Sequence, residues 1–419
     1  MTSDFEWYAG IDWASEQHRV CLLDGGGGPA GEREFAHSGD GLAELCAWLI
    51  AMSGCEPHKI AVAIETPHGP VVEMLIDHGF AVHSINPKQL DRFRDRFTVA
   101  GAKDDSRDAQ VLGHSLKTDA HAFRRLVVDD PMIIELREWS RLGDDLKQER
   151  NRLANRLRQQ LWRYYPQMLE LGGDDIAADW LLALWDEAPT PAKAAEISTQ
   201  VIAPLLKAHR IRRFEAADVL RILRQKPLTV TPGTIAAASA HIRILAERLR
   251  LVNRQVKEAN RKLDRLCRKL GQAPESEAGN RPEQRDVAIL RSLPGVGRIN
   301  LAALLTEASE PLKRRDYHAL RLMSGVAPVT RRSGKACLVI RRLACNARLA
   351  RAVYHWTRVA SQCDPISQKR YAALRQRGHS HGRALRTLGD RLLGLACTLL
   401  RRQVLLDPDY HCKEVAAAA

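Results

Sequence analysis

Four carboxylates, each in a costly or crowded position, carry the first chemical signal. Asp105 and Asp108 lie three residues apart in Gly101-Ala-Lys-Asp-Asp-Ser-Arg-Asp-Ala-Gln-Val-Leu112. On a helix, residues at i and i+3 share a face, with Ala109, Val111 and Leu112 turned inward and Arg107 outward. Two carboxylates at that spacing repel unless a cation sits between them. A hard divalent ion with oxygen ligands, Mg²⁺ or Mn²⁺, is one solution; a solvated helix N-terminus, where acids complement the dipole, is the other. Asp12 interrupts the apolar run Tyr8-Ala-Gly-Ile-Asp-Trp-Ala14, and Glu65 ends Lys59-Ile-Ala-Val-Ala-Ile-Glu65. A lone carboxylate in a buried strand is costly unless it is paired or metal-bound. Removing any of these acids from a metal-free protein is expected to relieve repulsion rather than to destabilise.

The elements that must position them alternate. Residues 8–14 and 18–24 read as strands, and a glycine turn at 25–28 leads to Arg33-Glu-Phe-Ala36, a β-meander. Helical spacing follows at 41–50, a doubly buried strand at 59–65, a helix at 70–76, a strand at 80–85 and a helix at 88–97. This alternation predicts an α/β domain over residues 1–128.

From Pro131 the pattern changes to long helices. Leu136, Trp139, Leu142, Leu146, Leu153, Leu157 and Leu161 recur at helical spacing. Five prolines break the stretch at about 170–230, which reads as helical and irregular. Ile242, Leu245, Leu249, Val252, Val256, Ala259, Leu263, Leu266 and Leu270 then alternate steps of three and four, a coiled-coil pattern. Its partner is the 131–165 helix, antiparallel, or another copy of the chain; a long amphipathic helix serving an internal core is the competing reading. The intermolecular arrangement makes the protein a homo-oligomer, a dimer or tetramer. The helical region spans 129–271, and a polar linker at 271–284 opens a mainly α segment over 272–419.

That last segment holds a second candidate site. Leu293-Pro-Gly-Val-Gly-Arg298 between amphipathic helices has the form of a helix-hairpin-helix. Gly295, Gly297 and Arg298 there would bring backbone N–H groups to a phosphate; a plain tight turn is the competing reading. Ser333 precedes Gly334, with Arg331, Arg332 and Lys335 beside it. Ser-Gly by itself is commonly a turn. As a nucleophile, Ser333 has basic neighbours to hold a phosphate but no local base to take its proton, so a composite site is expected. Ser324 and Thr330 are the neighbouring hydroxyls.

Composition narrows the partner. The 419 residues carry 64 Lys+Arg against 50 Asp+Glu, a formal charge of +14, which points to a polyanion, above all nucleic acid. No apolar run approaches the ~20 residues of a spanning helix, and no basic segment with an apolar core opens the chain, so a cytoplasmic, nucleic-acid-associated protein is expected. Nine scattered cysteines without a CxxC pair fit reduced thiols and argue against zinc.

Taken in order, these segments resemble one family: bacterial insertion-sequence transposases with an N-terminal DEDD domain of the RuvC/RNase H type and a C-terminal serine-bearing transposase domain. The Piv/MooV site-specific DNA invertases belong with them, and members are described as bridge-RNA-guided recombinases. The residues that carry the resemblance are Gly10-Ile-Asp12, Ile64-Glu-Thr-Pro67, Ile85-Asn-Pro-Lys88, Ala102-Lys-Asp-Asp-Ser-Arg-Asp-Ala109, Leu293-Pro-Gly-Val-Gly297 and Gly325-Val-Ala-Pro-Val-Thr-Arg-Arg-Ser-Gly334, with Gly378-His-Ser-His-Gly-Arg-Ala-Leu385 familiar from some relatives. The resemblance implies that Asp12, Glu65, Asp105 and Asp108 hold Mg²⁺ and that Ser333 is the nucleophile. It also implies donor and target DNA as substrates and a guide RNA as partner. Many relatives have Thr or Ser where this chain has Asp104, which makes Asp104 a rival ligand, but the spacing to Asp108 favours Asp105. Two other functions remain open: a RuvC-like nuclease cutting with metal-activated water, and a non-catalytic nucleic-acid-binding protein.

Overall fold

The computed structural model describes residues 5–94, 105–127, 129–272, 282–334 and 336–407. Asp104, Lys335, most of the linker and the tail beyond Asp407 lie outside the described residues, as do the end of the 88–97 helix and the side chain of Asp105. The chain divides into two compact units, Met1–Asp129 and Asp130–Ala419.

The first unit is a six-stranded mixed sheet. Strands β1 (Trp7–Trp13), β2 (Gln17–Leu23) and β3 (Pro29–Ala36) form the antiparallel meander. Helix α1 (Gly39–Ser53) follows, capped by the Ser38 hydroxyl accepting from the Gly41 N–H at 3.1 Å. Strand β4 (Ile60–Ile64), buried at every position, pairs parallel to β1, as a continuous Ile/Val/Ala run requires. Then come α2 (Pro70–Asp77), β5 (Ala81–Ser84), α3 (Pro87–Arg94), α4 (Asp105–Thr118) and the short β6 (Arg124–Arg125). The spatial order is β3-β2-β1-β4-β5-β6, consistent with a RuvC-like fold.

Alternation along β1 sorts its side chains. Ala9 and Ile11 enter the core that α1 and α2 cover, with Val20, Leu22, Val62 and Ile64. Tyr8 faces the other way, with Ala61, Ala63, Ala109 and Leu112, under α4. The helix lies so close that a Cβ on Gly10 would stand 1.8 Å from the Ala109 carbonyl oxygen. Only glycine admits that approach.

The second unit is mostly helical. It contains α5 (Pro131–Tyr164), α6 (Pro166–Gly172), α7 (Asp179–Glu187), α8 (Pro191–Glu196), α9 (Thr199–Ala208), α10 (Ala216–Leu223), α11 (Pro232–Gln272), α12 (Pro282–Ser292), α13 (Arg298–Glu307), α14 (Ser309–Lys313), α15 (Tyr317–Met323), the hairpin β7 (Val329–Ser333) and β8 (Ala336–Ile340), α16 (Ala347–Cys363), α17 (Pro365–Gln376) and α18 (His381–Arg402). Pro131 opens α5 behind an Asp130 cap, and Pro166 ends its run.

The heptad seam of α11 is spent inside the chain. Leu153, Leu157 and Leu161 of α5 share a core with Ile242, Leu245 and Leu249 of α11. Ile133 and Leu136 share another with Leu263, Leu266 and Leu270. The two helices are therefore antiparallel, and Lys262–Glu135 at 2.7 Å and Arg150–Asn253 at 2.6 Å hold the register. The expected intermolecular seam is corrected on this point: a buried stripe cannot serve a second copy as well. The proline-broken stretch resolves into α7 to α10, which pad one end of this pair. Helices α12, α13, α16 and α18 pack on the other end.

Candidate DEDD site and nucleic-acid interface

The strand carboxylates lie side by side. Ile11 of β1 is in register with Ile64 of β4, so Asp12 and Glu65, each one residue further, sit at the same ends of neighbouring parallel strands. Two-residue alternation from Gly10 and from Ala63 puts both on the α4 face. Helix α4 runs back along β1: Lys117 reaches Gly27, beyond the start of β1, while Ala109 covers Gly10. Its N-terminal turn, with Asp105 and Asp108, thus lies toward the Asp12 end. Asp108 is 4% exposed. The sequence placed these carboxylates on two strands and one helix; the structure brings Asp12, Glu65 and the Asp108 turn to one face and one end of the sheet.

What the sequence did not foresee is the cation already there. Arg94, at the end of α3, donates from Nε to Asp108 Oδ1 at 2.7 Å and from Nη2 to Oδ2 at 2.8 Å. Its Nη1 reaches Asp91 at 2.6 Å. Burial works against the guanidinium charge, but the hydrogen bond and charge of Asp108, with Asp91 and Glu65 behind it, outweigh burial and raise its pKa. Nothing in the spacing of Arg94 and Asp108 announces the pair, because it forms between two separate helices, α3 and α4.

The donor set is chemically suited to Mg²⁺ or Mn²⁺: hard carboxylate oxygens from rigid elements. Among the described residues, no three candidate ligand side chains stand close enough together to hold a metal. Asp105, whose side chain is outside the described residues, is on the same helix turn as Asp108.

The second unit presents the basic candidates. Ser333 ends β7, opposite Ala336, with Gly334 in the left-handed turn at φ 54°. Thr330, Arg331, Arg332 and Ser333 are all exposed. No described side chain hydrogen-bonds the Ser333 hydroxyl. Ser324 is 3% exposed and leans on the Arg321 carbonyl, so of the neighbouring hydroxyls only Thr330 is accessible. Gly295 has φ 78°, and a Cβ there would meet the Ala360 N atom at 2.7 Å. The loop from Pro294 to Gly297 therefore lies flat on α16, where Trp356 Nε1 donates to the Pro294 carbonyl at 2.8 Å.

Residues 9–166 match the IS110 DEDD model described as Transposase, and residues 287–372 match the Transposase IS116/IS110/IS902 family. The mini-circle putative transposase for IS117 of Streptomyces coelicolor is 32% identical over 396 residues, 92% of each chain. The chain belongs to the IS116/IS110/IS902 transposase family. A putative transposase, y4uE, of Sinorhizobium fredii is 62% identical over 224 residues, which is 53% of this chain and 62% of that protein. An uncharacterized 43.6 kDa protein of insertion element IS110 from Streptomyces coelicolor is 27% identical over 408 residues, 96% of this chain and 95% of its own. The two family matches fall on the two candidate regions: the first holds Asp12, Glu65, Asp105 and Asp108, the second Gly295, Gly297, Arg298 and Ser333. Among the described residues, no helix of this transposase-family chain is long and apolar enough to cross a membrane.

Proposed function

We propose that the protein is a DNA recombinase of an insertion element, which cuts and rejoins strands through Ser333 with help from the carboxylates Asp12, Glu65, Asp105 and Asp108. The observation that carries this reading is the convergence of Asp12, Glu65 and the Asp108 turn on one face of the sheet. A bound Mg²⁺ would be held by these four acids and would neutralise charge on the scissile phosphate and the leaving oxygen.

The Ser333 Oγ attacks the phosphorus, the phosphodiester bond to the bridging oxygen breaks, and that oxygen leaves as a hydroxyl. The product is a phosphoserine ester that keeps the energy of the broken bond, so a strand hydroxyl can reverse the step without ATP. Arg331, two residues before Ser333 on β7 and so on its face, and Arg332, exposed on the other face, would supply positive charge for phosphate oxygens. The serine proton must leave during attack, and no described residue is bonded to Oγ to take it. That favours an acceptor from outside the hairpin; it is also the observation that favours the rival, hydrolysis by activated water with Ser333 uninvolved. Exposed arginines along α11 are compatible with a guide RNA held by its backbone as partner.

The test is a denaturing gel of labelled DNA after reaction with Mg²⁺. A covalent adduct that maps to Ser333 and disappears in Ser333→Ala, with nucleic-acid binding retained, supports the recombinase. Free cut ends without adduct identify the nuclease, and an adduct on Thr330 overturns the assignment of Ser333.

A further inference from the structure

A cavity of about 1170 Å³ opens in the second unit between α5, α11, α13 and α16. Five cationic side chains and three carboxylates line it, and the pairing among them is uneven. Asp144 is shared by Arg348 at 3.4 Å and Arg351 at 3.5 Å. Asp264 is taken by Arg298. Glu307 accepts from Arg141 at 3.1 Å and from Asn346 at 2.9 Å. Every acid in the wall is engaged, which leaves Lys147 and Arg291 with no carboxylate within ion-pair distance among the described residues.

Two features mark a place suited to an anion. Lys147 is half-buried, and its pKa is lowered, first by burial and then by Arg298 and Arg351 against the pull of Asp144. An ammonium held there without a partner is costly. Asn300, in the first turn of α13, is 9% exposed, lines the cavity, and has no hydrogen-bond partner among the described residues. Beside it the first-turn N–H groups of α13 follow Gly297, which offers no side-chain cap. A charge, a carboxamide donor and a set of backbone donors converge on one space. A tetrahedral, singly charged oxyanion satisfies all three.

We propose that this cavity seats a backbone phosphate of nucleic acid, with Lys147 and Asn300 as its side-chain ligands and the N-terminus of α13 as its backbone ligand. The proposal rests on the reading of the protein as one that acts on DNA, and adds to it a seat built from α5, which the glycine loop alone does not supply. DNA and RNA share the phosphate, so either can occupy it.

The experiment titrates full-length wild type, Lys147→Met and Lys193→Gln with a labelled DNA duplex and with an RNA hairpin of equal length, each over a series of salt concentrations. Lys193 stands on α8, paired with Glu196, and controls for loss of one positive charge. Lys147→Met is expected to melt at or above the wild-type temperature, because an unpaired half-buried charge is gone. It should also bind about tenfold more weakly, with the salt slope reduced by about one. The nucleic acid that shows the smaller slope is the one the seat holds. Unchanged affinity for both in Lys147→Met overturns the proposal while leaving the DNA-processing reading intact. An equal loss in Lys193→Gln overturns it in favour of bulk charge. Absence of any binding by wild type sinks the proposal and the reading together.

Discussion

Arg94 grips both carboxylate oxygens of Asp108, at 2.7 and 2.8 Å, inside the acidic end of the sheet. The pair is largely desolvated, with side-chain exposures of 23% and 6%. Simple repulsion among the four acids predicts that removing any of them is harmless to a metal-free protein. For Asp108 the pair reverses that expectation. Asp108→Asn should lose about 2–3 kcal/mol in EDTA, since the guanidinium is left without its partner, whereas Asp12→Asn should cost less. Thermal unfolding of both variants decides it; equal melting of Asp108→Asn and wild type would show that the pair contributes nothing.

The same contact predicts competition. A cation that uses Asp108 must displace Arg94 from it. Calorimetric titration of Mn²⁺ should therefore show tighter binding to Arg94→Gln than to wild type, whatever happens to activity. If the two affinities agree, Arg94 and metal do not share Asp108.

Gly10 sets the distance between α4 and the strand that carries Asp12. Gly10→Ala places a methyl carbon within 1.8 Å of the Ala109 carbonyl oxygen, against backbone that has no rotamer to yield. We expect a loss of about 3 kcal/mol or more, read by chemical denaturation, together with lost strand cleavage. Wild-type stability in this variant would mean that α4 does not lie on β1 as described.

Leu249 is fully buried between α5 and α11. Leu249→Ala should cost about 2–5 kcal/mol without changing the mass seen by light scattering. Leu249→Glu should fail to fold rather than yield a stable monomer. A folded, smaller species would restore the intermolecular seam.

His18 and His37 share one hydrogen bond, Nε2 to Nδ1 at 2.8 Å, and His18 is fully buried. Burial, and then the charge of His37, lowers the His18 pKa below the ordinary imidazole value of about 6.5. The unfolded chain therefore binds the proton first on acidification. The stability linked to His18 is complete above about pH 6.5 and is lost as pH falls through the depressed folded value. His83, lowered by burial, has the same sign. The melting temperature should fall from pH 7 to pH 5, and His18→Phe, which cannot titrate, should flatten that fall. An unchanged slope would remove His18 from the account.

Periodicity in the chain was enough to place most strands of the first unit and the two long helices, but neither the β7–β8 hairpin nor the short helices α7 to α10. The run Ile60–Ile64 suits a strand covered on both faces, and β1, once formed, puts Gly10 and Asp12 on one side. The 3-4 spacing from Ile242 to Leu270 required a long buried stripe, but spacing is blind to which helix covers it. That α5 of the same chain does so emerges in three dimensions, where the short helices α6 to α10 return α11 antiparallel along it. Likewise, Arg94 and Lys147 read as ordinary cations in a basic chain. One becomes a partner for Asp108 and the other an unmatched charge in a cavity, since which charges meet depends on contacts between elements far apart in sequence.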